Sequence, residues 1–466
     1  MMKHMKLAAI LFAAWGAMDS VVAQTQDVAA VTRPGANIQR TMRLLEESTP
    51  LKRNTVRVLF YGQSITCQEW WKAVAAELKT RYPHANLLIE NRAIGGFSAQ
   101  ALVEVAEYDL YPNYPDLLIF HDYGCCGDGK YEAMIRRTRE RTTAEILLIT
   151  HHDIGRESDY EESRRIREIA VKQHCGLVDM ERLWQELLKR EKLEPKALLS
   201  GGPHLNEKGN GFYAGFVNAF LRRDPTVANE AHQGSVTDIS LRGDGGVKRL
   251  PDGALEIPFT GNRIDAFPGA YDYTINDDPV ADVWIDGRRP SDFSEAYACT
   301  RPSAAPFVWW PAFRVLRHNA PRVAEDWTLS VLESSPDGKK FRFRVTGSLT
   351  GEDGEGTSEA TFVSNSGRVV IEGGQAWTVA GALAYRKKEM PAGFKVAWRV
   401  VPHFRDVIAF PDSKFDDTDN AVTLIEGISN GPHVLRLVPR PGVSLKLRGL
   451  RVYRPPLTAE SLKGEL

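Results

Sequence analysis

Between residues 56 and 221, short apolar runs alternate with segments in which apolar residues recur every three or four positions. Apolar runs of this length are typical of buried strands, and the three-to-four spacing is typical of amphipathic helices. The predicted strands are residues 56–61, 86–90, 117–120, 145–150 and 177–179, each followed by a predicted helix. Strands that alternate with helices in this way form a parallel sheet covered on both faces. We therefore predict a three-layer α/β/α domain over residues 54–225, with a lead-in segment at residues 24–53.

After residue 225 the pattern changes, and no long amphipathic helix is predicted between residues 235 and 453. Short runs of alternating apolar and polar residues are separated by turn signals that contain glycine or proline. Turns are predicted at residues 336–338, 352–354, 372–374 and 430–432. Regularly spaced short strands indicate a β-sandwich, here over residues 235–456. It is either one jelly-roll-like sandwich with an insertion near residues 294–395 or two small sandwiches, and we favour the first.

The charge and the first residues limit what the chain can do. The formal net charge is -1 and no block of basic residues occurs, which argues against a nucleic-acid binder or a protein that binds anionic membranes. Lys3 and Lys6 precede an apolar run at residues 7–17 and small residues near Ala23, a pattern typical of a secretory signal at residues 1–23. That run is shorter than the ~20 apolar residues of a membrane-spanning helix, and no later segment is long enough. We expect an exported protein, periplasmic or secreted, without a membrane span.

The five cysteines are too few for a disulfide scaffold. We expect them to be small buried side chains, and the alternative is one bond between Cys67 and either Cys125 or Cys126.

Three segments carry residues suited to acyl transfer, two at the ends of predicted strands and one before the last predicted helix. Ser64, in Gly-Gln-Ser-Ile-Thr, stands where the first strand meets the first helix, and the free amides of a helix start point toward an anion formed there. Gly95 and Gly96 follow the second strand and can present backbone amides without an obstructing side chain. His204, on the loop before the last helix, can take the serine proton and return it. Each feature also has a structural explanation when it is taken singly: the serine as a helix cap, the glycines as a tight turn and the histidine as a surface residue. The interpretation therefore depends on the order of the three.

That order resembles the SGNH, or GDSL, hydrolase family over residues 54–223. Members are flavodoxin-like esterases, lipases and polysaccharide deacetylases that form a serine acyl-enzyme without a metal or other cofactor. The Gly-Gln-Ser segment, in place of the more usual Gly-Asp-Ser, is similar to that of carbohydrate acetylesterases in the family. The resemblance implies that Ser64 is the nucleophile, that His204 is its base, and that the amides of Ser64 and Gly96 are the oxyanion donors.

One departure from the family pattern concerns the oxyanion hole. The third conserved block of the family normally supplies an asparagine side chain, and here Cys125 stands at that position, or Cys126 if the loop is one residue longer. A thiol is a poor substitute for an amide, and loss of one donor typically costs about 100- to 1000-fold in rate. His121 or Tyr123, on the preceding strand end, are the expected replacements.

A second departure concerns the acid that orients the histidine. The family has an aspartate three residues before the histidine, where this chain has Gly201. His204 is therefore expected to be oriented either by a backbone carbonyl or by an acid from another loop. Three carboxylates on nearby loops are candidates for that role: Asp122, Asp153 and Glu207.

Further polar and aromatic residues are expected near the site. Gln63, Asp122 and His152 are predicted to line it, and no metal site is predicted, since the adjacent His151 and His152 would point to opposite faces of a strand. Segments of the β-rich half resemble jelly-roll domains attached to carbohydrate esterases. Six aromatic residues there form either a sugar-stacking face or the sandwich core, and the neighbouring tryptophans are the best candidates for exposure: Trp284, Phe307, Trp309, Trp310, Phe313 and Trp327.

These observations predict an exported serine esterase that removes ester-linked acyl groups, above all acetyl, from a polysaccharide. Two alternatives stay open. The same residues would also serve an esterase of lipids or small esters, and the missing asparagine and acid would suit a catalytically silent glycan-binding protein. The sequence does not indicate the oligomeric state.

Overall fold

The computed structural model describes residues 27–123, 126–227, 234–241, 246–268, 280–409, 421–443, 445 and 447–462. The predicted secretory signal at residues 1–23 and the candidate site residue Cys125 lie outside the described residues. None of the helices within the described ranges is both long and apolar enough to cross a membrane.

The first half of the chain contains a five-stranded sheet. Its strands are β1 (Thr55–Gly62), β2 (Asn86–Asn91), β3 (Leu117–His121), β4 (Glu145–Ile149) and β5 (Gly176–Val178). All neighbours are parallel, and the order is β2-β1-β3-β4-β5. This is the flavodoxin-like order of an open, doubly wound sheet. The fold class predicted for this half is confirmed.

Helices cover both faces of this sheet. They are α1 (Gln39–Glu46), α2 (Trp70–Arg81), α3 (Ala99–Asp109), α4 (Lys130–Arg141), α5 (Glu157–Lys172), α6 (Met180–Glu191) and α7 (Glu207–Phe220), with a two-stranded hairpin, β6 (Leu199–Gly201) and β7 (His204–Leu205), between the last two. Because side chains alternate along a strand, Tyr61 of β1 joins one core with α3, α4 and α5, and Phe60 joins another with α1, α2, α6 and α7. Helix α1 lies in the predicted lead-in, but its Met42 is part of that second core.

The second half is built of antiparallel strands. They are β8 (Val236–Ser240), β9 (Lys248–Arg249), β10 (Leu255–Pro268), β11 (Ala281–Ile285), β12 (Tyr297–Cys299), β13 (Leu316–His318), β14 (Glu325–Ser334), β15 (Phe341–Gly347), β16 (Gly351–Thr357), β17 (Phe362–Val363), β18 (Val369–Ile371), β19 (Lys395–Pro402), β20 (Val407–Ile408), β21 (Val422–Pro439) and β22 (Leu447–Tyr453), with a short helix α8 (Val379–Arg386) after β18. The β-sandwich-like class predicted for this half is confirmed.

These strands divide between one large sheet and two smaller ones. The large sheet has the order β20-β11-β21-β10-β22-β8, with β9 beside β10. The chain between β11 and β20 forms a five-stranded sheet, β12-β19-β14-β15-β16, and a three-stranded sheet, β13-β18-β17. We call residues 297–402 the inserted β unit, and the insertion predicted near residues 294–395 falls on it.

Two predicted turns were wrong. Residues 430–432 lie inside β21 and residues 352–354 lie inside β16. In β21, Gly431 pairs with Gly261 of β10, and the register then shifts between Gly261 and Arg263, so the glycine and proline mark an irregularity within a strand. In β16, the Asp353 carboxylate accepts hydrogen bonds from the amide and hydroxyl of Ser366, which a polar residue in a strand can do as well as one in a turn.

The inserted β unit packs on the α/β half close to the carboxyl ends of the parallel strands. Arg301 donates three hydrogen bonds to the buried carboxylate of Asp109 at the end of α3, at 2.7 to 3.0 Å, and one to the Arg92 carbonyl at 2.8 Å. The Tyr108 hydroxyl accepts from the Leu316 amide at 2.6 Å. One apolar core runs from the α/β half into this unit. These contacts fix the inserted β unit beside the loop that follows β2.

Candidate active site

Ser64 lies in the turn between β1 and α2, where the two predicted elements meet. Gly62 ends β1 with a φ of +143°, and a side chain there would lie 1.8 Å from the carbonyl oxygen of His121 on β3. Only glycine permits that approach of the two strands. The chain then turns, and the Ser64 Oγ lies 3.1 Å from Nε2 of His204. The structure therefore brings together the two residues predicted as nucleophile and base.

His204 is held by the β6–β7 hairpin that carries it. Its Nδ1 lies 3.2 Å from the carbonyl oxygen of Gly201, the residue paired with it across the hairpin. A carbonyl can only accept, so Nδ1 carries the proton and Nε2 is left as the acceptor for the Ser64 hydroxyl. Of the two predicted ways of orienting this imidazole, the geometry matches the backbone carbonyl.

Two of the three candidate acids, Asp122 and Asp153, have other partners. The Asp122 carboxylate accepts from the Gln63 side chain at 3.1 Å and from the Tyr123 amide at 2.9 Å. Burial raises the pKa of Asp122 well above its usual value, against the lowering effect of its hydrogen-bond donors. Asp153 accepts from the Tyr160 hydroxyl at 2.9 Å. Glu207 stands in the first turn of α7, and among the described residues no carboxylate is hydrogen-bonded to His204.

The loop after β2 forms a tight turn beside Ser64. The Phe97 amide donates to the Ile94 carbonyl at 3.1 Å, which closes a turn around Gly95 and Gly96. A Cβ built on Gly95 would lie 3.6 Å from Cβ of Ser64, so this turn is in direct contact with the serine. Within the described residues, the amides of Ser64 and Gly96 donate no hydrogen bond to the chain. Both predicted oxyanion donors are thus adjacent to the serine and free to bind a ligand.

The Gly95 amide faces the thiol of Cys67. Partial burial of the thiol raises its pKa, and the Gly95 amide lowers that pKa by less. Cys67 as a whole is nevertheless exposed, so the expectation that the cysteines are buried is wrong for this residue, whereas Cys126 and Cys175 are buried. Cys67 and Cys126 are both free thiols, so the alternative of a bond between them is wrong, and Cys125 lies outside the described residues.

The expected replacements for the missing asparagine do not reach the serine. His121 is fully buried, and its Nε2 lies 3.4 Å from Nδ1 of His151. Burial, and then the neighbouring histidines, lower the pKa of His121 well below its usual value. The Tyr123 hydroxyl donates to Asp159 at 2.7 Å and its ring stacks on His151 at 3.9 Å. Both residues lie beneath the site as part of its support.

His152 is also buried rather than on the surface of the cleft, where we expected it. Its Nε2 lies 2.8 Å from the carbonyl oxygen of Pro203, the residue before His204. Burial lowers the pKa of His152 to about 4, so the neutral ring donates to that carbonyl and holds the hairpin in place. Gln63 donates to the Tyr123 carbonyl at 2.7 Å and ties the ends of β1 and β3 together. In the described part of the chain no group of three metal-ligating side chains converges.

A contact that the sequence did not predict comes from the inserted β unit. Nε1 of Trp309 donates to the Gly95 carbonyl at 3.0 Å, and Nε1 of Trp310 donates to the same oxygen at 2.7 Å. The sequence drew attention to this tryptophan pair as a candidate for exposure, but nothing in it linked the pair to Gly95.

Aromatic side chains form an exposed surface beside this contact. Phe307, Trp309 and Tyr385 are 52%, 50% and 59% exposed. The Arg386 guanidinium lies 5.7 Å from the Trp309 ring and 5.3 Å from the Tyr385 ring. We call these four residues the aromatic surface. The other predicted aromatics lie elsewhere: Phe313 and Trp327 are buried in the core, and Trp284 lies under Arg289.

Solved structures similar to this chain include acetylxylan esterases. One, from Geobacillus stearothermophilus, has 20% identity and a TM-score of 0.33, with 38% of this chain and 98% of that chain covered. Another, named AlAXEase, has 22% identity and a TM-score of 0.32, with 35% of this chain and 98% of that chain covered. No family model matches the sequence, and no curated protein matches it. Likeness at these TM-scores is too low to assign an activity, which has to come from the site itself.

Proposed function

We propose that this protein is an exported serine esterase that removes acyl groups, above all acetyl, from a polysaccharide. The observation that carries the proposal is the 3.1 Å contact between the Ser64 Oγ and Nε2 of a histidine whose other nitrogen is held by the Gly201 carbonyl. An isolated serine hydroxyl is a weak nucleophile, and a neutral imidazole at hydrogen-bond distance is what activates it. Export is supported by the cationic start, apolar run and small residues of positions 1–23.

The first half of the reaction forms an acyl-enzyme. As Oγ of Ser64 attacks the ester carbonyl carbon, Nε2 of His204 takes the hydroxyl proton. The carbonyl oxygen becomes an oxyanion, which the amides of Ser64 and Gly96 are placed to bind. When the tetrahedral intermediate collapses, the carbon–oxygen bond to the alcohol breaks and His204 gives its proton to the departing sugar oxygen.

The second half releases the acid. Nε2 of His204 takes a proton from a water molecule, and the water oxygen attacks the acyl carbon. The bond between that carbon and Oγ of Ser64 then breaks, and the proton on His204 returns to the serine. Each step uses the same two residues, and none requires a cofactor.

A glycan is favoured over a lipid as substrate because of the aromatic surface. Flat apolar rings that are half exposed suit the C–H faces of a pyranose, and the Arg386 guanidinium can donate to its hydroxyls. The contact of Trp309 with Gly95 places this surface next to the serine. A sugar that rests there would present an attached ester close to Oγ.

The experiment compares wild type with Ser64→Ala and His204→Ala on p-nitrophenyl acetate and on acetylated polysaccharides, acetylated xylan included. Both variants should lose about 10⁴-fold or more in kcat, as expected for residues that act as one unit. Ser330→Ala, on β14 outside the site, is the matched control. Equal rates for wild type and Ser64→Ala would refute the esterase and favour a silent glycan-binding protein.

The same assay separates a glycan substrate from small esters. Phe307→Ala and Tyr385→Ala should each raise KM for the polysaccharide by about tenfold, which corresponds to the loss of one or two sugar–ring contacts. Neither variant should change the rate of hydrolysis of p-nitrophenyl acetate. Hydrolysis of p-nitrophenyl acetate without release of acetate from any polysaccharide would favour an esterase of small or lipid esters.

A further inference from the structure

Two consecutive tryptophans of the inserted β unit donate to one carbonyl of the loop after β2. Nε1 of Trp309 and Nε1 of Trp310 lie 3.0 and 2.7 Å from the Gly95 oxygen. A carbonyl oxygen has two lone pairs, and this oxygen uses both on the two indoles. The side chains of adjacent residues on an extended chain point in opposite directions. Here the Ala305 amide donates to the Trp310 carbonyl at 2.7 Å and closes a tight loop, and this loop lets both indole rings reach one atom.

That carbonyl belongs to the central peptide of a turn. The Phe97 amide donates to the Ile94 carbonyl, and Gly96 has a φ of +90°, which is the arrangement of a type II turn with glycine in its third position. In such a turn the central peptide takes no part in the closing hydrogen bond. Its orientation is what distinguishes type II from type I, so the peptide can rotate unless something holds it.

The peptide group is planar and trans, so its C=O and N–H point in opposite directions. Hydrogen bonds that fix the orientation of the Gly95 carbonyl therefore also fix the orientation of the Gly96 amide, which is the predicted second oxyanion donor. If the peptide rotated, the carbonyl would take the place of the N–H, and an acceptor would then face the oxyanion. The two indole donors oppose that rotation.

We propose that Trp309 and Trp310 are positioning residues that lock the Gly95–Gly96 peptide in the orientation needed by the oxyanion, so that the inserted β unit completes the active site. This rests on the proposed function of Ser64 and His204. The surroundings agree with a fixed turn. A Cβ on Gly96 would lie 3.4 Å from the Trp310 ring, and the centroid of that ring lies 6.3 Å from that of Phe97 and 5.7 Å from that of Tyr385.

The test replaces each indole by a phenyl ring, which keeps an aromatic ring and removes the N–H. Loss of one oxyanion donor typically costs about 100- to 1000-fold, and a peptide that spends part of its time rotated should cost less. We expect Trp309→Phe with Trp310→Phe to lower kcat for p-nitrophenyl acetate by about 10- to 100-fold, with KM within about threefold of wild type. Each single variant should lose less, because the remaining indole or a water still binds the carbonyl.

Trp377→Phe is the matched control. This tryptophan belongs to the same inserted β unit, and its Nε1 donates no hydrogen bond within the described residues. A double variant whose kcat equals that of Trp377→Phe would overturn the proposal. If the double variant does not fold, Trp310→Phe, which removes the shorter contact, takes its place.

A second readout does not depend on activity. A crystal structure of the double variant should show the Gly95–Gly96 peptide rotated or in two orientations, and an unchanged single orientation would contradict the lock. If wild type and Ser64→Ala proved equally inactive, the proposed function would fail, while this structure would still decide whether the tryptophans hold the peptide.

Discussion

Nδ1 of His204 lies 3.2 Å from the carbonyl oxygen of Gly201, the residue that stands where the resembled family has an aspartate. The carbonyl fixes the tautomer and the direction of the ring, which are two of the tasks of a triad acid. It carries no charge, and would therefore stabilise the imidazolium of the proposed reaction less than a carboxylate would. A Ser–His dyad in this geometry would have a correctly oriented imidazole, but its protonated form would be stabilised less than in a triad.

If the carbonyl is the orienting group, the nearby carboxylates are dispensable for catalysis. We predict that Asp122→Asn, Asp153→Asn and Glu207→Gln each keep kcat/KM for p-nitrophenyl acetate within about threefold of wild type, whereas loss of a triad acid costs about 10⁴-fold. Asp122→Asn is the most informative of the three. Burial raises the pKa of this carboxyl, which favours its neutral form, and an asparagine can still accept from the Gln63 side chain and the Tyr123 amide.

The result could go against the dyad in a clear way. A loss of about 1000-fold or more in one variant, with an unchanged melting temperature, would identify that residue as the acid and would mean that the hairpin moves to meet it. Ser64→Ala in each background shows whether the remaining rate belongs to the site.

His152 makes the stability of the fold depend on pH. Its pKa in the folded protein is lowered to about 4 by burial, against about 6.5 in an unfolded chain. Between pH 4 and 6.5 the unfolded chain binds a proton at His152 that the folded protein does not bind. The contribution of His152 to the unfolding free energy is therefore fully present above pH 6.5 and is lost as the pH falls toward 4. The shift corresponds to about 3 kcal/mol of unfolding free energy.

We predict that His152→Gln, which keeps a side-chain donor for the Pro203 carbonyl and cannot titrate, loses less stability than wild type between pH 6.5 and 4. Urea unfolding at several pH values, followed by tryptophan fluorescence, measures the difference. His121 and His318, whose pKa values burial also lowers, contribute with the same sign in both proteins and cancel in the comparison. If the unfolding free energies of the two proteins changed with pH in parallel, His152 would have the same pKa in the folded and unfolded states, and the prediction would be wrong.

The parallel sheet could be predicted from the sequence because local patterns determine it, whereas the Ser64–His204 pair is predicted from the order of segments that resembles the family. Short apolar strands and periodic helices fix the strand count, and parallel strands bring their carboxyl ends to one edge. Ser64 stands at such an end, and His204 lies 140 positions away on the hairpin before the last helix, so their meeting is predicted from the order of the three segments and not from any side-chain contact.

The contacts that finish the site could not be predicted in this way. Trp309 and Trp310 reach Gly95 from 214 and 215 residues away and across a boundary between two units, so no periodicity or spacing relates them. The burial of His152 depends on how the hairpin folds over the sheet. The predicted turn at residues 430–432 failed for a similar reason, because pairing with β10 overrides the local preference of glycine and proline.

Arg301 links the inserted β unit to the α/β half through a carboxylate that has no exposure to water. The Asp109 side chain is fully buried, and burial raises its pKa even though Arg301 pulls it down. Removal of one partner of a buried ion pair typically costs about 3 to 5 kcal/mol, because the remaining charge is left without compensation. We predict a loss of that order in the unfolding free energy of Arg301→Met.

The loss should depend on pH and on the partner. Without Arg301 the pKa of Asp109 rises further above its unfolded value, so the variant should be least stable relative to wild type at high pH and should recover as the pH falls and the carboxyl is protonated. Asp109→Leu in the Arg301→Met background should restore much of the stability, because two apolar side chains replace the buried pair.

Arg301→Met should also lower kcat, since Arg301 stands eight residues before Trp309 in the segment that reaches Gly95. A stability loss below about 1 kcal/mol that is the same at every pH would place the bridge among the weak surface pairs and contradict its role in docking the inserted β unit.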